Sequence, residues 1–152
     1  MHAPELISSA REKLGLTQAE VARQCGLNSN EYRDIESYKE EILTNVSLAK
    51  MKDICSVLKL DISSLLATLD LKDQLASDVP SHDRALPRHL LIKKYREKRS
   101  ASQSDVADAI GYEDEAVRLG ETDEKFLDTL PINVINDWSK YIGLPLELML
   151  GV

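Results

Sequence analysis

Apolar residues recur at helical spacing along most of the chain, and the breaks between stripes are short and polar. Leu6, Ile7, Ala10 and Leu14 form a first stripe, with Pro4 in the opening turn, where its missing N–H costs nothing, and Gly15 as the stop. Thr17 with Glu20 three residues later has the capping-box pattern, which predicts a second helix from Gln18 with Val21, Ala22 and Cys25 facing inward. Gly26 supplies a tight turn, and Asn28 with Glu31 repeats the cap before Tyr32 and Ile35. After a polar stretch at 37–45 come a fourth stripe (Leu48, Met51, Ile54, Cys55, Leu58) and a fifth (Ile62, Leu65, Leu66, Leu69), the last with room to run to Leu75.

Residues 76–87, ASDVPSHDRALP, are short, polar and carry two prolines, the pattern of a linker. Beyond them the stripes begin again. Residues 6–36 set against 91–121 without a gap are identical at 11 of 31 positions, against roughly two from ordinary residue usage. The matches include Arg11/Arg96, Gln18/Gln103, Ala22/Ala107, Gly26/Gly111, Arg33/Arg118 and Glu36/Glu121. After Glu121 the register resumes one residue shorter, with Trp138, Ile142, Leu144, Met149 and Leu150 answering Ile54, Leu58, Leu60, Leu65 and Leu66. The expectation is all-α, a tandem duplication of a five-helix unit, with Trp138 in the second core.

Composition narrows the class of protein. Hydrophobic residues make up 43% of the 152, charged residues 30% and aromatics 5%, so aliphatic helix packing must supply most of the burial. No apolar run is long enough to cross a bilayer and no leader pattern opens the chain, so a cytoplasmic protein with no membrane partner is expected. Cys25 and Cys55 fall at inward positions and read as buried thiols, and the three histidines have no ligand-spaced companions, so no metal or other cofactor is expected. Without a phosphate loop, nucleophile elbow or HExxH motif, no catalytic residue is assigned and an enzyme is not expected.

The stretch AREKLGLTQAEVARQCGLNSNEYRDIES, with the following LAKMKDICSVLKLDISSLL, resembles the Cro/phage-repressor (Xre-like) helix-turn-helix family. The resemblance implies two tandem five-helix, lambda-repressor-like domains: residues 1–75 as the DNA-binding copy, and 88–152 as a degenerate copy for dimerisation or partner binding. It also implies that Arg11 with Glu36, and Arg96 with Glu121, are structural ion pairs tying the first helix of each unit to its third. In such a unit Gln18 would hold a phosphate, while Ser29, Asn30, Arg33 and Asp34 would face the major groove and Lys39 would add a backbone contact. Double-stranded DNA, bound by a homodimer, is the partner implied.

Charge complicates that reading. The chain carries a formal −7, whereas a nucleic-acid binder concentrates cations on one surface. Residues 26–45 hold two cations against five carboxylates, and 111–124 one cation against six. Gly120 also stands where Ile35 anchors the first copy, so the second third-helix is expected not to bind DNA. Residues 88–99, RHLLIKKYREKR, run the other way, six cations to one acid. Lys93, Lys94 and Lys98, with the acidic Glu113, Asp114 and Glu115, are therefore candidates for partner docking. Two functions stand: a transcriptional regulator reading DNA through its first unit as a dimer, or an antitoxin-like or anti-regulatory interaction module whose acidic helices dock a basic protein.

Overall fold

A computed structural model describes residues 1–71 and 79–151. The described chain is all-helical and divides into two compact units, Met1–Lys72 and Asp73–Val152.

In the first unit α1 (Ala3–Lys13), α2 (Gln18–Gln24), α3 (Ser29–Ser37), α4 (Leu48–Leu58) and α5 (Ile62–Thr68) enclose one aliphatic core. Side-chain oxygens start four of the five helices. Thr17 accepts from the Glu20 N–H at 3.1 Å, Asn28 from Glu31 at 2.8 Å, Ser47 from Lys50 at 3.2 Å and Asp61 from Ser63 at 3.3 Å, each satisfying a donor the first turn leaves unpaired. Ile7, Val21, Tyr32, Leu48, Met51, Ile54 and Leu65 are wholly buried, each such side chain contributing about 1.5–3 kcal/mol of transfer free energy. The polar stretch between α3 and α4 is not featureless. Glu41–Asn45 forms a π-helical turn, and Ile42 at its start is fully buried, pinning the turn to the core.

In the second unit α7 (Arg88–Lys98), α8 (Gln103–Ile110), α9 (Asp114–Thr122), α10 (Ile132–Ile142) and α11 (Leu146–Leu150) are preceded by a short α6 (Ser81–Arg84), and a 3-10 turn (Phe126–Thr129) lies between α9 and α10. Trp138 is fully buried in this core with Ile92, Val106, Val117, Ile135 and Leu144.

The segment expected to be a linker contains structure. Residues 76–78 lie outside those described, as do positions 72–75 where the fifth helix was expected to continue. From Val79 onward the chain is packed: Val79 is buried, and Asp83 on α6 accepts from Lys94 Nζ at 2.5 Å and from the Tyr95 hydroxyl at 3.1 Å. Polar composition suggested a solvated stretch, but Asp83 is polar because it is bonded to α7. Burying a carboxylate requires such partners.

Candidate nucleic-acid interface

The α2–α3 corner is built from small residues and caps. Ala22 is buried, so the following backbone can fold back, with the Leu27 N–H donating to Ala22 O at 2.8 Å. Gly26 adopts φ +68°, the left-handed region, and a Cβ there would come within 3.3 Å of Lys50 Nζ. That ammonium donates to Cys25 O at 2.5 Å, capping the end of α2.

Asn28 and Glu31 then start α3 reciprocally, the Glu31 carboxylate accepting from the Asn28 backbone N–H at 3.4 Å. Tyr32 and Ile35 are buried beneath the helix, which turns Ser29, Asn30, Arg33 and Ser37 to solvent. Asp34 is half-buried. Lys39 is also half-buried and faces Asp70 at 3.6 Å, so its charge is shared within the unit.

Behind the helix, Arg11 grips Glu36 through two parallel bonds, Nε to Oε2 at 2.7 Å and Nη2 to Oε1 at 3.0 Å, and donates a third to Leu16 O at 2.9 Å. The Glu36 side chain is only 4% exposed. Burial alone would raise its pKa, but hydrogen bonds from Arg11 and Gln18 outweigh that and hold it below the ordinary value. Gln18, expected at a phosphate, spends one amide hydrogen on Glu36 Oε1 at 3.1 Å. This positions the start of α2 on α3 and leaves the amide's second N–H and its oxygen for other contacts.

These bonds change the electrostatic picture at one carboxylate, Glu36. Of the five carboxylates counted over residues 26–45, only Glu36 is paired with a cation, Arg11; Glu31 bonds the uncharged groups of the α3 cap, Glu41 accepts from the Asn45 amide at 2.9 Å, Asp34 is half-buried and Glu40 is exposed. The outward face of α3 itself presents hydroxyl, amide and guanidinium groups, with the exposed Glu31 carboxylate in its first turn. Tyr38 caps α3 and is 61% exposed.

The second unit repeats the same framework. Arg96 donates to Glu121 at 2.6 and 2.9 Å and to Ala101 O at 2.8 Å, and Gln103 donates to Glu121 at 3.2 Å. Its outward positions carry other chemistry. Glu113, Asp114 and Glu115 are all exposed, with Asp114 accepting from Ser104 and Glu115 paired to Arg118.

The basic run on α7 is largely occupied within its own unit. Arg88 bonds Glu124 O, Met149 O and the Asp128 carboxylate, Lys94 bonds Asp83, and Arg96 bonds Glu121. Lys98 and Arg99 lie over the rings of Tyr95 and Tyr141, at 5.3 and 5.1 Å. Lys93 is exposed. The docking strip expected of Lys93, Lys94 and Lys98 is thus interrupted at Lys94, because a buried carboxylate claims it.

Residues 7–65 match a family model described as Helix-turn-helix, of the Cro/C1 type. Comparisons with curated proteins and with solved structures gave no significant match.

Proposed function

We propose that the chain is an Xre-type transcriptional regulator whose first unit reads double-stranded DNA through α3. The observation that carries this reading is the exposed Ser29, Asn30 and Arg33 on a doubly capped helix, locked to α1 and α2 by Arg11, Glu36 and Gln18. Asn30 can take a bidentate pair with adenine and Arg33 with guanine or a phosphate, while Lys39 and the remaining Gln18 donor supply backbone contacts. A two-fold dimer would set two such helices about one DNA turn, roughly 34 Å, apart and compensate for a modest single site. The second unit is then a duplicated copy that has lost its reading surface and serves dimerisation. A duplex selected from a random pool, titrated at low salt, tests this. The Asn30→Asp/Arg33→Glu chain should lose about tenfold or more in affinity, and undiminished binding would remove the assignment.

A second reading rests on α9, where Glu113, Asp114 and Glu115 stand exposed at the positions that carry Asn28, Ser29 and Asn30 in the first unit. Such a face suits a basic protein partner rather than a polyanion. Absence of any duplex retention at low salt, with binding to a cationic protein lost on Asp114→Lys/Glu115→Lys, would select it.

A further inference from the structure

The outer side of α1 in the first unit holds a half-open groove of about 400 Å³, lined by Leu6, Ala10, Lys13, Leu14, Lys59 and Leu60 among others. Leu14 is 38% exposed, and the charged residues lining the groove are both lysines in a chain of formal charge −7.

The corresponding place in the second unit is filled from within. Leu6 and Leu60 are half-buried, whereas their register partners Leu91 and Leu144 are 1% and 0% exposed. Ala10 is replaced there by Tyr95, whose hydroxyl donates to Asp83 of α6, and Leu14 by Arg99, which covers the Tyr141 ring. An aromatic side chain and a helical turn bearing a carboxylate thus close the second unit's version of this face. The first unit has Ala10 in place of that aromatic.

Lys59 lines the groove from the end of the facing helix. It ends α4 in the left-handed region, φ 54°, a conformation the second unit assigns to Gly143 at φ 73°. The exchange also runs the other way, Ser100 at φ 58° standing where the first unit has Gly15 at φ 69°.

We infer that this groove receives an acidic amphipathic helix of a partner protein, one that inserts an aromatic residue over Ala10 and sets flanking carboxylates on Lys13 and Lys59. The occupant's aromatic residue supplies what Tyr95 supplies in the second unit. The surface shares no residue with the α3 face, so its occupation is separable from DNA binding.

The test uses the full chain, isotope-labelled, titrated with a synthetic helix of about four turns that carries Phe and Leu on one face and Glu on its flanks. Saturable shifts should centre on Leu6, Ala10, Leu14, Lys59 and Leu60, and the same peptide with Lys for Glu should bind at least about tenfold more weakly. Ala10→Tyr, which fills the groove as the second unit does, should abolish binding. Lys59→Gly should weaken it about tenfold while leaving the melting temperature unchanged or higher, since glycine relieves the backbone. Absence of saturable shifts, equal binding of the Lys-flanked peptide, or shifts on another surface would overturn the inference. Self-association of the unliganded chain that Ala10→Tyr abolishes would overturn it too, by making a second copy the occupant.

Discussion

The indole of Trp138 occupies the space that a side chain at Gly120 would need: a Cβ built there lies 2.3 Å from the ring's Cη2 and just over 3 Å from two further ring carbons. At the matching positions of the first unit stand Ile35 and Ile54, two medium side chains instead of one absent and one large. Gly120 was expected to cost the second unit an anchor, and in volume it does not, because the bulk has moved to the facing helix. Gly120→Ala should therefore destabilise this unit by about 1–3 kcal/mol through overpacking. Trp138→Ile alone leaves a void, and Gly120→Ile/Trp138→Ile should recover much of the loss as a favourable coupling. Chemical denaturation measures the single variants; Trp138 is the chain's one tryptophan, so its fluorescence follows the second unit where it is retained and far-ultraviolet circular dichroism serves the double variant. Additive losses would show that the two positions are not coupled.

Arg11 and Glu36 set the angle of α3, with side chains 15% and 4% exposed. Arg11→Met strands a buried carboxylate and Glu36→Gln a guanidinium, so each should cost about 3–5 kcal/mol, and Arg11→Met/Glu36→Met together less than the sum. Arg96→Met and Glu121→Gln should act likewise on the second unit. A loss below about 1 kcal/mol, the range of exposed pairs, in calorimetric melts of the Arg11 variant would mean the pair behaves as a surface contact.

How far the fold was legible follows from where each signal resides. The caps at Thr17 and Asn28 and the glycine turns at Gly26 and Gly111 are set by residues within a few positions of one another, and both pairs stand where the local pattern put them. Helix periodicity likewise located the core stripes, including Trp138. What escaped depends on distant partners. Asp83 looks like a linker residue until Lys94 and Tyr95 are brought to it. Lys94 looks like part of a positive strip until Asp83 claims it, and Gly120 looks like a defect until Trp138 is seen beside it. Gln18 carries the chemistry of a phosphate contact in sequence, while one of its donors is spent on Glu36. Ile42 was missed because two adjacent apolar residues, Ile42 and Leu43, in a polar run define no period.

Acid should unfold the chain through its buried carboxylates. For Glu36, burial opposes the charge but the bonds from Arg11 and Gln18 prevail. For Asp83, the Lys94 bond leads and burial only partly offsets it. Both folded values therefore lie below the ordinary ones of 4.5 and 3.8. A lowered folded pKa contributes stability that is fully present above the unfolded value and is lost as pH falls through the folded one. The urea midpoint should thus be insensitive to these two groups at neutral pH and fall once pH drops below about 4.5. Asp83→Asn should flatten the acid limb followed by Trp138 fluorescence, and Glu36→Gln the limb followed by circular dichroism of the first unit's transition. An unchanged acid limb in Asp83→Asn would mean this carboxylate titrates alike in folded and unfolded chains.

The two thiols should be silent in the folded protein. Cys25 and Cys55 are 3% and 5% exposed and unpaired with each other. Burial raises both, with the Asp53 charge adding to the effect at Cys25 and Asp61 adding at Cys55, which is pushed up to about 11. At pH 8 a thiol near that value has roughly a hundredfold less thiolate than an ordinary cysteine, and reagent access is blocked as well. A chromogenic disulfide should therefore react with neither in the native chain and with both in denaturant, at a native labelling rate set by opening of the first unit. Arg11→Met should accelerate that labelling in proportion to its loss of stability, since both cysteines sit in the unit it destabilises, whereas Gly120→Ala should leave it unchanged. Rapid labelling of either thiol in the unmodified chain, independent of Arg11, would place that cysteine at the surface and remove it from the core of α2 and α4.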